Sequence, residues 1–154
     1  MNITLKNIKH NENLSDETHC FSATVYLDGK AAMGVKNAGH GGENDYYSVP
    51  RGTKYVYQLV ATIDAKLSEK KVLSGMDGVA PMDNCLEFVV GDLVNDWLVD
   101  RQINKCFKKV CYVNDGSVYT TKAVATEQSI EAYKAASWFK EKNYIMLNDL
   151  VLAD

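Results

Sequence analysis

The chain has 154 residues, of which 46% are hydrophobic and 24% are charged, and its formal net charge is -3. These values are typical of one globular domain spanning residues 1–154, and they exclude a disordered chain. The mildly acidic balance argues against direct binding of nucleic acid, which requires a basic surface.

The sequence contains no run of apolar residues close to the roughly 20 that a membrane-spanning helix needs, and no signal-peptide core. We therefore expect a cytoplasmic protein without a membrane partner, in which the cysteines are reduced thiols. None of these cysteines belongs to a Cys-x-x-Cys pair, so a zinc site would need ligands assembled over long range, and none is predicted. The four cysteines are Cys20, Cys85, Cys106 and Cys111.

The N-terminal third predicts a strand over residues 2–9, a loop over 10–18 and a β-hairpin over 19–37. An Asp28-Gly29 pair marks the hairpin turn. A two-residue turn would place the apolar sets of the two strands on opposite faces. We therefore expect a three-residue loop, Leu27-Asp28-Gly29, which pairs Tyr26 with Lys30 and Val25 with Ala31 and gives both sets one face.

Two helices are predicted next, over residues 53–71 and 84–109, with Thr53 and Asp83 as their N-caps. Residues 72–83 contain two glycines and a proline and are expected to form a loop. Within the second helix, Gly91 either weakens the helix or permits close packing on a neighbour. The stripe of the first helix consists of Val56, Leu59, Val60, Ile63 and Leu67.

The C-terminal third predicts a second hairpin over residues 110–122 around Asp115-Gly116, and a third helix over 127–142 with Thr126 as its N-cap. Residues 144–152 are expected to form a strand or a docked apolar tail. Because the strands occur as local hairpins without crossover helices, the order favours an α+β domain. In this domain antiparallel hairpins pack against about three helices.

Residues 37–47, "NAGHGGENDYY", form the least ordinary segment of the chain, called the glycine loop below. Its glycines can turn successive N–H groups toward one anion, with the histidine and tyrosines as further binding groups. A glycine-rich connection without any ligand is the alternative, since the GxGxxG and Gly-Lys-Ser/Thr fingerprints are absent. The candidate binding residues are Asn37, Gly39, His40, Gly41, Gly42, Asn44, Tyr46 and Tyr47.

Other chemistry has less support in the sequence. His40, Glu43 and Asp45 have the residue types of metal ligands but lie too close together along a loop to fix a geometry, so no metal or cofactor is predicted. No catalytic residue is predicted either, because no nucleophile signature is present. On the second helix, the carboxylates of three residues share one face, either as an acidic strip for a basic partner or as a solvated surface. They are Asp92, Asp96 and Asp100.

The first fifty residues combine "FSATVYLDGK" with "GVKNAGHGGENDYY". This pattern resembles small proteins carried by bacteriophages and prophages. The resemblance implies a setting rather than a mechanism, because phage accessory proteins of this size are often inhibitors or adaptors of a host protein. CRISPR and other anti-phage defence components are among such targets. The matching positions are Phe21, Ala23, Thr24, Tyr26, Asp28, Gly29, Lys30, Gly34, Asn37, Gly39, Gly41, Gly42, Asn44 and Tyr46.

Two hypotheses follow. The first is a phage-type accessory protein that binds and inhibits a host or defence-system protein without catalysis, and it is favoured by the missing catalytic signature and by the many tyrosines. The second is a protein that binds a small ligand or nucleotide at the glycine loop, with or without enzymatic activity. The tyrosines that suggest an interface are Tyr26, Tyr46, Tyr47, Tyr55 and Tyr57.

Overall fold

The computed structural model of the protein describes residues 1–73 and 80–153. The predicted α+β class is confirmed, since the described residues contain nine strands, all paired antiparallel, and five α-helices. The chain divides into two compact units, Met1–Asn95 and Asp96–Asp154.

The first unit contains a four-stranded antiparallel sheet in chain order. Its strands are β1 (Ile3–Asn11), β2 (Cys20–Leu27), β3 (Lys30–Asn37) and β4 (Asp45–Tyr47). The predicted first strand is confirmed and runs two residues further, and the predicted loop after it contains a short 3-10 helix, Glu12–Leu14.

The turn between β2 and β3 differs from the prediction. Leu27 pairs with Lys30, so the turn has two residues and the predicted three-residue loop is wrong. Asp28 and Gly29 have φ values of +47° and +82°. This pair of positive angles belongs to the tight hairpin turns whose twist matches that of the flanking strands, and glycine and aspartate tolerate it.

A β-bulge one residue away restores the common apolar face. Tyr26 pairs with Ala31 whereas Val25 pairs with Met33, so Ala32 is an extra residue in β3. Because one inserted residue inverts the facing of every later side chain, Met33 and Val35 share a buried face with the apolar residues of β2, as expected. The buried residues on this face are Phe21, Ala23, Val25, Met33 and Val35. Ala31 was expected on the same face, but it pairs with Tyr26 on the other one.

The first helix, α1 (Val56–Leu67), begins later than predicted. Tyr55 occupies the N-cap position without a capping side chain, so the assignment of Thr53 as N-cap is wrong. The Thr53 hydroxyl instead accepts a hydrogen bond from the Tyr55 N–H at 3.0 Å. The hydrophobic stripe is confirmed, because Val56 and Ile63 are buried.

The loop predicted over 72–83 is wrong at both ends, which belong to a pair of two-residue strands, β5 (Lys71–Val72) and β6 (Met82–Asp83). Its central part, residues 74–79, lies outside the described residues. Asp83 is therefore part of a strand, where its carboxylate pairs with Lys71.

The second helix, α2 (Leu86–Cys106), begins in the first unit and ends in the second. Asp83 is not its N-cap, which corrects the prediction. The carboxylate of Asp64, on α1, accepts a hydrogen bond from the Leu86 N–H at 2.6 Å. A side chain distant in sequence thus satisfies one of the free N–H groups at the start of the helix.

The second unit contains a three-stranded sheet in the order β8-β7-β9. Its strands are β7 (Lys109–Asn114), β8 (Ser117–Val124) and β9 (Ile145–Met146). The second predicted hairpin is confirmed, since Asn114 pairs with Ser117 around the Asp-Gly turn.

The predicted third helix is divided in two, α3 (Glu127–Ala135) and α4 (Ser137–Glu141). Ala136 between them has ψ of 135°, an extended conformation that ends a helix. Thr126 is the N-cap as predicted and forms a reciprocal capping box with Ser129.

The C-terminal segment is predicted in part. It contains the short strand β9, but also a helix, α5 (Leu147–Val151), that the apolar pattern did not indicate. The second unit contains a buried hydrophobic cluster of Val110, Ile130, Phe139 and Met146.

The outer strands of the two larger sheets are short or interrupted. β4 has three residues and β9 has two. The register of the pairing between β1 and β2 shifts between Lys6 and Lys9, and the register of the pairing between β7 and β8 shifts as well. Short and bulged edges are poor templates for an added strand. Within the described part of the chain, no helix has both the length and the apolar character to cross a membrane.

Candidate functional site

Asn37, the first residue of the glycine loop, makes four side-chain hydrogen bonds that hold the loop together. Its side-chain oxygen accepts hydrogen bonds from the Gly39 N–H at 2.9 Å and the Thr18 hydroxyl at 2.7 Å. Its amide nitrogen donates to the Gly42 carbonyl at 3.2 Å and to the Asn44 side chain at 3.1 Å. Because Asn37 is buried at the end of β3, one side chain holds both ends of the loop in place.

The glycines allow the loop to pack closely on the segment before β2. Gly39 has φ of +90°, and a β-carbon at this position would overlap the Leu14 carbonyl oxygen. The Gly39 carbonyl accepts hydrogen bonds from the N–H groups of Asp16 at 2.9 Å and Glu17 at 3.1 Å. Gly41 has φ of +84°, and a β-carbon there would overlap the Glu17 carboxylate. Gly39 therefore requires glycine both for conformation and for space, whereas Gly41 requires it for conformation, because the end of the Glu17 side chain can move aside.

The loop does hold an anion, and that anion is a side chain of the protein. The carboxylate of Glu87, in the first turn of α2, accepts the Asn44 N–H at 3.1 and 3.2 Å. The hydroxyl of Tyr46 donates to the same carboxylate at 3.3 Å. Burial raises the pKa of the Glu87 carboxyl above its ordinary value of 4.5, while these hydrogen bonds oppose the rise. Burial, followed by the charge of Glu87, also raises the pKa of Tyr46.

Three N–H groups that a bound anion would use are engaged within the protein. The Gly39 N–H donates to Asn37, the Gly41 N–H donates to Thr18 at 3.3 Å, and the Asn44 N–H donates to Glu87. The alternative interpretation of the loop, as a connection that fixes its neighbours, accounts for these contacts.

The remaining candidates of the loop are placed apart from this network. His40 is exposed, and its Nδ1 lies 4.0 Å from the Asp16 carboxylate. The ring of Tyr47 lies over Gly34 on the neighbouring strand, where a β-carbon would overlap it. Among the residues that the structure describes, no group of three or more metal-ligating side chains is positioned to hold an ion.

The three aspartates of the proposed acidic strip are all exposed on α2. Asp92 belongs to the first unit, and Asp96 and Asp100 belong to the second. Of the predicted interface tyrosines, Tyr57 is the most exposed at 81%, and Tyr55 is exposed at 71%.

The structure reveals a group of rings in the second unit that the sequence interpretation missed. The Tyr112 ring lies 5.4 Å from that of Tyr119, 5.8 Å from Trp138, 5.6 Å from Phe139 and 5.0 Å from Tyr144. Tyr119 and Trp138 are 46% and 41% exposed. With Tyr133, which contacts Trp138, these residues are called the aromatic cluster: Tyr112, Tyr119, Tyr133, Trp138, Phe139 and Tyr144.

Comparisons with known proteins give no further information about the function of these residues. No protein-family model, no curated protein and no solved structure matches the chain. Two groups of contacts remain as candidate functional sites, the glycine loop with Glu87 and the aromatic cluster.

Proposed function

We propose that the chain is a non-enzymatic protein-binding protein, of the phage accessory type that its N-terminal pattern resembles. It acts by covering a surface of a host or defence-system protein. The observation that supports this proposal is the pair of half-exposed rings, Trp138 and Tyr119, that rest on Tyr112 in the aromatic cluster. Tryptophan and tyrosine are the residues most enriched among those that dominate the energetics of protein interfaces.

The neighbouring rings prepare Trp138 and Tyr119 for binding. Tyr119 stacks on Tyr112 with 14° between the ring planes, and Trp138 makes edge contacts with Phe139, Tyr133 and Tyr144. A side chain already held in one conformation loses little entropy when a partner covers it. The exposed part of each ring therefore offers apolar area at a low conformational cost.

The contacts of the glycine loop favour this proposal over a ligand-binding function at the loop. A nest for a phosphate or carboxylate needs free N–H donors. The donors of Gly39, Gly41 and Asn44 instead hold Asn37, Thr18 and Glu87. The loop then contributes to function by positioning Glu87 at the start of α2.

The N-terminal resemblance suggests the kind of partner. A protein of this type acts in the cytoplasm of the infected cell, and its target is a component of a CRISPR or other anti-phage defence system. Binding alone is sufficient for inhibition when it covers a surface that the target needs, so no catalytic residue is required.

The experiment compares three variants in cells that carry a defence system. We expect the wild-type chain to raise the plating efficiency of a sensitive phage and to copurify with one component of the system at a fixed ratio. Trp138→Ala and Tyr119→Ala should each lose both effects. Tyr57→Ala should retain both, because its exposed ring belongs to the first unit and lies outside the aromatic cluster.

The folded fraction of each variant is checked by circular dichroism and thermal unfolding before the comparison. Full rescue of phage by folded Trp138→Ala and Tyr119→Ala would contradict the proposal. Failure of the wild-type chain to rescue phage or to copurify with a component of any tested system would also contradict it.

A further inference from the structure

A groove of about 390 Å³ lies along α2 in the first unit. Its walls are apolar side chains that are exposed to solvent, Leu73 at 85%, Met82 and Phe88. Its volume is within the roughly 300–1,000 Å³ range of ligand pockets in proteins. Solvent-exposed apolar walls of this kind favour an occupant with an apolar portion.

The floor of the groove contains Gly91, in the middle of α2. A β-carbon at Gly91 would meet no atom of the described residues within 4 Å, so the glycine does not serve close packing against them. Glycine destabilises a helix interior relative to alanine. Gly91 thus keeps the space open although it destabilises α2, and such a loss of stability is common at functional sites.

The polar groups of the groove are hydrogen-bond acceptors. Glu87 and Asn95 lie one turn of α2 to either side of Gly91, and Asp92 is next to it. The side-chain oxygen of Asn95 lies 3.0 Å from Nε2 of His19. Among the residues that the structure describes, the lining contains two carboxylates and no lysine or arginine, so the groove complements a cationic group.

Glu87 is held in a defined position by the glycine loop. The Asn44 N–H and the Tyr46 hydroxyl both donate to its carboxylate. These two donors leave lone pairs of the carboxylate available, because an ionised carboxylate has about four acceptor sites. A carboxylate fixed in this way pays less entropy when it binds a cation.

We propose that this groove binds an arginine side chain of a partner protein. The aliphatic stem of the arginine lies against Leu73 and Met82, and the guanidinium lies near the ring of Phe88 and donates to Glu87. Arginine combines a planar cation, an ability to stack on aromatic rings and a fork of donors that matches a carboxylate. This inference refines the proposed function and depends on it for the identity of the partner.

The test uses a capped peptide as the probe. The full chain, labelled with ¹⁵N, is titrated at low ionic strength with acetyl-Gly-Ala-Arg-Ala-Gly-amide, and separately with peptides that have glutamine or lysine in place of arginine. We expect saturable shifts of the Gly91 and Asn95 amide signals with the arginine peptide. Binding of the glutamine peptide should be weaker by about tenfold or more, since it lacks the charge.

Four variants test whether the shifts arise from binding in the groove. Gly91→Leu fills the space above the floor and should abolish the shifts. Glu87→Gln should weaken binding by about tenfold, whereas Glu12→Gln removes an exposed charge outside the groove and should leave binding unchanged. Gly91→Ala is the check on folding, since it should raise the melting temperature and still weaken binding.

The inference is overturned if the glutamine or lysine peptide binds as tightly as the arginine peptide, or if folded Gly91→Leu binds like the wild type. It is also overturned if the arginine peptide causes no saturable shift. Because no partner protein is used, these results are independent of phage rescue. If Trp138→Ala rescued phage as well as the wild type, the proposed function would be contradicted, but the result of the peptide titration would still stand.

Discussion

Asn148 is a single side chain that secures the end of α2 and the start of β7. It is completely buried. Its amide nitrogen donates to the carbonyls of Cys106 at 2.7 Å and Lys109 at 2.9 Å, and its oxygen accepts the Cys111 N–H at 2.7 Å. Its role could not be predicted from the sequence, because its partners lie about forty residues earlier in the chain.

Replacement of this side chain tests its structural role. Asn148→Leu removes the partner of two buried backbone groups and one partly buried carbonyl, and each buried group left without a partner costs about 1–3 kcal/mol. We predict that the free energy of unfolding falls by about 2–4 kcal/mol in urea titrations. Asn104→Leu, at an exposed position on α2, is the control and should change the free energy by about 0.5 kcal/mol or less. A loss below about 1 kcal/mol for Asn148→Leu would show that the buried groups find other partners.

The Glu87 carboxyl predicts a dependence of stability on pH. Burial raises the pKa of Glu87 in the folded chain above its ordinary value of 4.5, so the folded state binds this proton more tightly than the unfolded state. The contribution of Glu87 to stability is therefore full below pH 4.5 and is lost as the pH rises through the raised pKa. The free energy of unfolding of the wild type relative to Glu87→Gln should increase as the pH falls from neutral toward 4.5. Urea titrations at several pH values measure this difference, and a flat or opposite trend would contradict the assignment.

The sequence predicted which helices, strands and turns are present better than it predicted the residues at which they begin and end. Both Asp-Gly turns were located correctly, because few residue pairs accept two positive φ angles. The register at the first turn was wrong because the bulge at Ala32, which has no signature of its own, supplies the inversion that the loop was expected to supply. The start of α2 was misplaced because its capping carboxylate, Asp64, comes from another helix.

In the glycine loop, too, the backbone conformation could be predicted from the sequence, but the long-range contact could not. Its composition indicated positive φ angles, and Gly39, Gly41 and Gly42 have them. Its internal anion could not be predicted, because Glu87 lies forty-three residues beyond Asn44.

A matched pair of substitutions tests how the loop is packed. Gly42 and Gly39 have nearly the same φ, +87° and +90°, but only at Gly39 would a β-carbon meet other atoms. Gly42→Ala should therefore cost about 1–2 kcal/mol for the backbone conformation alone. Gly39→Ala should cost at least about 1 kcal/mol more, because the loop must move away from Leu14. Urea titrations compare the two, and equal costs would contradict the packing described for the loop.

For the whole molecule, the succession of hairpins and helices was sufficient to predict the α+β class, because strands joined by short turns pair antiparallel. The single-domain organisation stays a prediction. The aromatic cluster was missed because its rings come from separate strands, helices and a loop. Only the pairing of Tyr112 with Tyr119 and the docking of α4 bring them together.

The measurement that tests the protein-binding proposal most directly is hydroxyl-radical footprinting of the complex with the copurified defence component. The oxidation rates of Trp138 and Tyr57 are compared in the free and bound chain. We predict that binding reduces the oxidation of Trp138 by several-fold and leaves that of Tyr57 unchanged. Unchanged oxidation of Trp138 in a saturated complex would contradict the proposal that the aromatic cluster is the binding surface.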